Sequence, residues 1–128
     1  SIPHADWHSL KTVPLVKGEL WLSLDNQGLY HSTDSGKTFL PIKSVKGAHL
    51  FSVGKAKNNS KIPTLYLYGK ISKLKNGIFR SVDQGKTWKR IGDSKKPIGN
   101  DPNVMEASRQ KFGLVFIGTN GRGIYYVN

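Results

Sequence analysis

Asp34 and Asp83 are the first residues in this 128-residue chain that invite a chemical reading. Each sits in the pattern Ser-x-Asp-x-Gly-x-Thr-aromatic: Ser32, Asp34, Gly36, Thr38 and Phe39, and again, 49 residues on, Ser81, Asp83, Gly85, Thr87 and Trp88. A matched pair of carboxylates is what acid–base cleavage of a glycosidic bond uses, provided the two lie ~5–10 Å apart. Turn chemistry accounts for the same residues without catalysis. The carboxylate accepts hydrogen bonds from backbone N–H groups of its own turn, and Gly36 and Gly85 supply a positive φ without a Cβ clash. Thr38 and Thr87 start a strand, and Phe39 and Trp88 fold inward to fill space between neighbouring sheets. Equivalent positions in adjacent repeats also put the two carboxylates a whole repeat apart. Both aspartates therefore read as scaffold. The other carboxylates (Asp6, Glu19, Asp25, Asp93, Asp101 and Glu106) form no matched pair, so no catalytic residue is assigned.

Metal and thiol chemistry find no purchase. The four histidines, His4, His8, His31 and His49, lack the spacing of three or four convergent ligands that a zinc site needs. His4 and His8 would share a face only in a helix, which the repeat argues against. Cysteine is absent, which excludes a disulfide framework and a thiolate centre. No metal and no cofactor is expected. Asn58-Asn59-Ser60 fits the N-glycosylation sequon, a match that arises often by chance.

The charge is the second signal. Twenty Lys and Arg against eight Asp and Glu give a formal net charge of +12, a field that favours acidic partners: nucleic acid, an anionic surface or an acidic polysaccharide. Sixteen of the twenty cations are Lys. Specific phosphate and base readout draws on Arg forks, so nucleic acid is not the favoured partner. Lys70, Lys73 and Lys75, with Lys55, Lys57 and Lys61, are expected to form one basic loop surface. No run approaches the ~20 apolar residues of a transmembrane helix, and no leader with a charged start and an apolar core is visible.

The elements that must position these residues come from the repeat. Gly28-Leu-Tyr-His-Ser-Thr-Asp-Ser-Gly-Lys-Thr-Phe39 aligns with Gly77-Ile-Phe-Arg-Ser-Val-Asp-Gln-Gly-Lys-Thr-Trp88, each preceded by an apolar run, Leu20-Trp-Leu-Ser-Leu24 and Leu65-Tyr-Leu-Tyr68. A third copy runs through Val115-Phe-Ile-Gly118 and Gly123-Ile-Tyr-Tyr-Val127 and stops before its own Asp-box. Short runs rich in Leu, Val, Ile, Tyr and Phe between Gly, Asn, Asp and Lys turns give an all-β pattern. The period matches the ~40–50 residues of a propeller blade. The expected architecture is a β-propeller segment of about three blades with Asp-box hairpins, incomplete as a closed ring. Its blades are 12–43, 48–92 and a partial 103–128, after an N-terminal extension 1–11. Strands are expected at 12–16, 19–24, 28–32 and 38–42; at 50–53, 64–68, 77–81 and 87–91; and at 104–107, 114–118 and 123–127.

Here the residues carry a family likeness. Phe51-Ser-Val-Gly-Lys-Ala with Leu65-Tyr-Leu-Tyr-Gly69, Gly77-Ile-Phe-Arg-Ser81 and Thr87-Trp-Lys-Arg-Ile91 resembles the last full blade of family 74 glycoside hydrolases, the xyloglucanases. Val115-Phe-Ile-Gly-Thr-Asn-Gly-Arg-Gly-Ile-Tyr-Tyr126 is similar to that family's C-terminal blade, and Glu19-Leu-Trp-Leu-Ser23 with the first Asp-box is similar to the blade before. The likeness covers about residues 12–128. It implies two seven-bladed propellers flanking a cleft for the β-1,4-glucan backbone of xyloglucan. It also implies an acid and a base that are aspartates from segments well upstream, which no position here matches. The isolated chain is therefore expected to be inactive, and secretion is the expected localisation.

Ligands of propellers usually meet the face opposite the Asp-box hairpins. Here that face is expected to comprise the loops 25–27, 70–76 and 119–122 and the interblade links 44–49 and 92–103. Amides and hydroxyls there would bond sugar oxygens, with aromatics stacking on the ring. Asn26, Gln27, Asn76, Asn120 and Arg122 are the candidate substrate-binding residues, Arg122 standing out because it lies between two glycines. Two functions follow from these features, beside a third from the charge alone, salt-sensitive electrostatic adhesion to nucleic acid or an anionic surface. One is the C-terminal propeller segment of a xyloglucan-acting hydrolase, which contributes scaffold and cleft loops and depends on its missing upstream blades. The other is a non-catalytic glycan- or protein-binding module that closes its ring by self-association or with a partner chain, since open sheet edges pair with something.

Overall fold

A computed structural model of the chain describes residues 9–13, 17–74, 76–91, 102–119 and 123–127. All regular structure among them is β. Three antiparallel meanders follow one another along the chain and do not close a ring. The first sheet is β1 (Ser9–Thr12), β2 (Leu20–Ser23), β3 (Leu29–Ser32) and β4 (Leu40–Pro41). The second is β5 (Val45–Gly54), β6 (Thr64–Ile71), β7 (Gly77–Ser81) and β8 (Lys89–Ile91). The third is β9 (Pro102–Ala107), β10 (Val115–Thr119) and β11 (Gly123–Val127).

Two differences from the sequence reading matter. Leu10 and Lys11 pair with Leu22 and Trp21, so β1 falls mostly in the stretch expected as an extension; residues 14–16 lie outside the described ones. The 44–49 stretch, expected as an interblade link, is mainly strand. Register shifts between Val45 and Gly47 and between Ala48 and Leu50 let β5 start early and bend there.

Alternation on the middle sheet explains the packing. Successive strand residues point to opposite faces, so Leu65 and Leu67 face one neighbour while Tyr66 and Tyr68 face the other. One core joins the first and second sheets through Trp21, Leu29, Phe51, Leu67 and Phe79, with Ile42 and Trp88 against it. The other joins the second and third through Leu50, Tyr66, Ile78, Met105, Val115 and Ile117. A sheet covered on both faces needs apolar residues on both, hence the unbroken Leu65-Tyr-Leu-Tyr68 run. The outward faces differ. Leu10 is 56% exposed beside its cross-strand neighbour Leu22, itself opposite Tyr30, and on the third sheet Val104 and Phe116 are 52% and 42% exposed.

Both Asp-box hairpins take the expected form. The Asp34 carboxylate accepts from the Thr38 amide at 2.9 Å, from the Thr38 hydroxyl and from the Ser32 hydroxyl at 2.8 Å, while Ser32 Oγ accepts from the Gly36 amide at 3.0 Å. Asp83, Thr87, Ser81 and Gly85 repeat the arrangement. Gly36 and Gly85 have φ of 87° and 84°. The residues before them, Ser35 and Gln84, are also left-handed, at 61° and 60°, a strain the sequence did not announce.

These bonds make the hairpins acid-sensitive. The Thr38 hydroxyl and amide and the Ser32 hydroxyl hold the Asp34 carboxyl down to about 2. For Asp83, burial pushes upward, but the Thr87 and Ser81 bonds outweigh it and the net direction is also down. A carboxyl depressed in the folded state adds stability above its unfolded value near ~3.9, and that stability drains as pH falls through the folded value. Thermal midpoints are therefore expected to drop between pH 4 and pH 2. The Asp34→Asn, Asp83→Asn double variant should be less stable at pH 6 and visibly flatter below pH 4. A parallel decline in both proteins would remove the hairpin carboxylates as the cause.

Candidate functional site

The sheet end opposite the Asp-boxes gathers polar and aromatic groups from two sheets. The β2–β3 turn is tied by the Leu24 amide to Gly28 O at 2.8 Å and the Gln27 amide to Leu24 O at 2.7 Å. It places Asp25 at φ 45° and leaves Asn26 and Gln27 exposed. Paired backbone bonds then clamp this turn to the second sheet: the Ala48 amide donates to Asp25 O at 2.8 Å, and the Asp25 amide donates to Ala48 O at 3.1 Å. Next to that bridge, His49 Nδ1 lies 3.5 Å from Asp25 Oδ1. The His49 ring meets Tyr68 edge to face, with centroids 6.2 Å apart.

Asn76 is exposed in the β6–β7 connection at this same end, and its backbone carbonyl accepts from Arg90 Nη1 at 3.3 Å. Asn26, Gln27 and Asn76 thus share an end of the molecule. Asn120 and Arg122 lie outside the described residues, as do 92–101 of the link between sheets. Sequence reasoning missed His49 and Tyr68. Tyr68 shares one face of β6 with buried Tyr66, and its place at the end of the expected strand 64–68 was the available signal. Chemically, the arrangement offers a half-buried aromatic ring and amide and carboxylate groups around it, which suits hydrogen bonding and stacking on a sugar.

The expected single lysine surface divides in two. Lys70 and Lys73 stand at this end and Lys75 lies outside the described residues, whereas Lys55, Lys57 and Lys61 lie in the β5–β6 loop at the other. Six residues of β6 separate Lys70 from that loop, ~20 Å at a strand's rise per residue. Glu19 is also spoken for: it bonds His31 Nε2 at 3.2 Å, and the His31 ring stacks on Trp21 at 3.9 Å. Among the described residues no three of His, Asp and Glu converge as metal ligands, and no helix is long and apolar enough to cross a membrane.

Comparison with known proteins gives these features a context. No family model matches the chain. An oligoxyloglucan-reducing end-specific xyloglucanase of Emericella nidulans is 36% identical over 117 residues, 87% of this chain and 14% of that protein. A xyloglucanase of Acetivibrio thermocellus is 40% identical over 119 residues, 93% of this chain and again 14% of the relative. Among solved structures, the family 74 glycoside hydrolase of Niastella koreensis superposes with a TM-score of 0.82 at 31% identity, covering 94% of this chain and 18% of that one. The resemblance read from the sequence is thereby shown, and the chain spans about one-seventh of the length of the curated relatives it matches.

Proposed function

Taking the chain as homologous to a segment of family 74 xyloglucanases, we propose that it is the C-terminal propeller segment of a xyloglucan-acting hydrolase that works outside the cell. It supplies scaffold and cleft-side loops, and the catalytic aspartates belong to other blades. The contrast between the sheets carries this reading. The middle sheet is sealed by a neighbour on each side, while the outward faces of the first and third expose Leu10, Val104 and Phe116. Faces of that kind are docking surfaces for further blades. The Asp-box carboxylates have both oxygens engaged by their own serine and threonine, as turn scaffold requires.

The test is a pair of assays on xyloglucan. The isolated chain should release no product. Grafted in place of the matching segment of the Acetivibrio thermocellus enzyme, it should keep that enzyme active within about tenfold. Hydrolysis by the isolated chain, or a folded but dead chimera, would overturn the assignment. Within the chimera Tyr68→Leu keeps apolar bulk against Leu50 and Ile78 but removes the ring, so KM should rise several-fold with stability changed by less than ~1.5 kcal/mol.

The same exposed faces favour the second reading, a binding module that closes its ring with further copies. Light scattering separates the two: a stable closed oligomer supports the module, and a monomer or an irregular aggregate supports the segment.

A further inference from the structure

A cleft of about 260 Å³ opens at the Asp-box end of the second sheet, lined by Lys57, Arg80, Thr87, Trp88, Lys89 and Phe112. We propose that it binds the carboxylate of a uronate residue, and so attaches this propeller to acidic polysaccharide. The inference is independent of the xyloglucan reading, because a neutral glucan carries no charge to answer these cations.

The electrostatics are unbalanced in a specific way. Arg80 on β7 pairs directly with Lys89 on β8, and like charges directly opposite each other in a ladder repel. Lys57 adds a third positive charge from the β5–β6 loop, and among the described residues no carboxylate lines the cleft. The nearest acid by sequence, Asp83, has both oxygens engaged by Ser81 and Thr87. Arg80 forms no ion pair among the described residues, yet it is held in place. Its guanidinium lies over the Phe112 ring, 5.1 Å from the centroid, and so close to Gly113 that a Cβ there would meet Nη1 at 3.3 Å. A fixed guanidinium fork with unused donors suits a carboxylate, which it can engage with two parallel bonds. An anion in the cleft would also relieve the Arg80–Lys89 repulsion.

Size and lining point to a sugar acid rather than a nucleic acid strand. The volume lies just under the ~300 Å³ at which pockets for drug-sized ligands begin, which suits one charged ring. Phe112 and Trp88 offer apolar surface for the ring's C–H face. A nucleic acid strand asks for cations in a track that follows successive phosphates, and here they converge on one spot.

Calorimetric titration at low salt with oligogalacturonate, a neutral xyloglucan oligosaccharide and oligothymidylate of equal charge tests this. Oligogalacturonate should bind, the neutral sugar should not bind in the cleft, and oligothymidylate should be at least roughly tenfold weaker. Arg80→Gln and Lys89→Gln should each weaken oligogalacturonate about tenfold, while Lys46→Gln, an exposed β5 lysine away from the cleft, should not. Removal of either opposed charge should leave the thermal midpoint unchanged or raised. Should Arg80→Gln fail to fold, Lys89→Gln, exposed on its strand, carries the comparison alone. Equal affinity for oligothymidylate, binding indifferent to both cleft substitutions, or no binding at all would overturn the proposal.

Discussion

Trp21→Ala is expected to cost the chain about 3–5 kcal/mol, the range for emptying a buried Trp site. Trp21 has no exposed surface, stacks on His31 at 3.9 Å and tilts against Phe51 at 5.5 Å. It lies on β2 and Phe51 on β5, so the ring joins two sheets rather than filling one. Truncation should therefore lower cooperativity as well as stability: in urea, both the midpoint and the slope should fall as the first sheet loosens ahead of the second. Against a typical domain stability of 5–15 kcal/mol this is a large fraction, and a thermal midpoint lower by more than ~10 °C is expected. Trp21→Phe supplies the contrast. The indole Nε1 is buried with no hydrogen-bond partner among the described residues, and an orphaned buried donor costs ~1–3 kcal/mol. Phenylalanine removes that cost while losing some volume, so its net effect should stay below ~1.5 kcal/mol. Equal losses in the two variants would show that volume is not what Trp21 contributes.

What could be read from the sequence was local. An Asp-box closes within eight residues, so Ser32, Asp34, Gly36 and Thr38 announce their own geometry, and a second copy at Ser81–Thr87 confirms the period. Alternation in Leu65-Tyr-Leu-Tyr68 likewise fixes which residues share a face, once a strand is granted. The site was legible only as a set of loops. Asn26 and Gln27 stand out by composition, but the bridge from Asp25 to Ala48 depends on how the first sheet docks on the second, and with it the Asp25–His49–Tyr68 group. The bulges at the start of β5 were hidden for a related reason: Gly47 alone fits a turn as readily as a bulge, and only pairing with Lys70 and Gly69 shows the shift in register. Closeness in sequence does not group the lysines in space, because β6 carries its two ends apart.

Those same bulges lead to the second large effect. Gly69→Ala should destabilise the chain by roughly 3 kcal/mol or more, beyond the usual cost of overpacking. A Cβ at Gly69 would overlap the Gly47 carbonyl oxygen, lie 2.8 Å from its carbonyl carbon and 3.2 Å from Ala48 Cα. All three obstacles are backbone, and none can move without breaking the β5–β6 ladder or the Asp25–Ala48 bridge. Gly77, directly opposite Gly69 on β7, is the control. The nearest atoms a Cβ there would meet belong to the guanidinium of Arg90, the far end of a flexible side chain. Its φ is not positive, so Gly77→Ala should cost less than ~1 kcal/mol. Chemical denaturation of the two variants measures the difference, and similar losses would show that the crowding at Gly47 is not rigid. The consequence reaches the site. Moving Gly47 and Ala48 moves the two backbone bonds that hold Asp25, and with them the turn bearing Asn26 and Gln27. In the xyloglucanase chimera, whatever Gly69→Ala protein folds should then show a raised KM, while Gly77→Ala, which disturbs only the Arg90 bond to the Asn76 carbonyl, should raise it less.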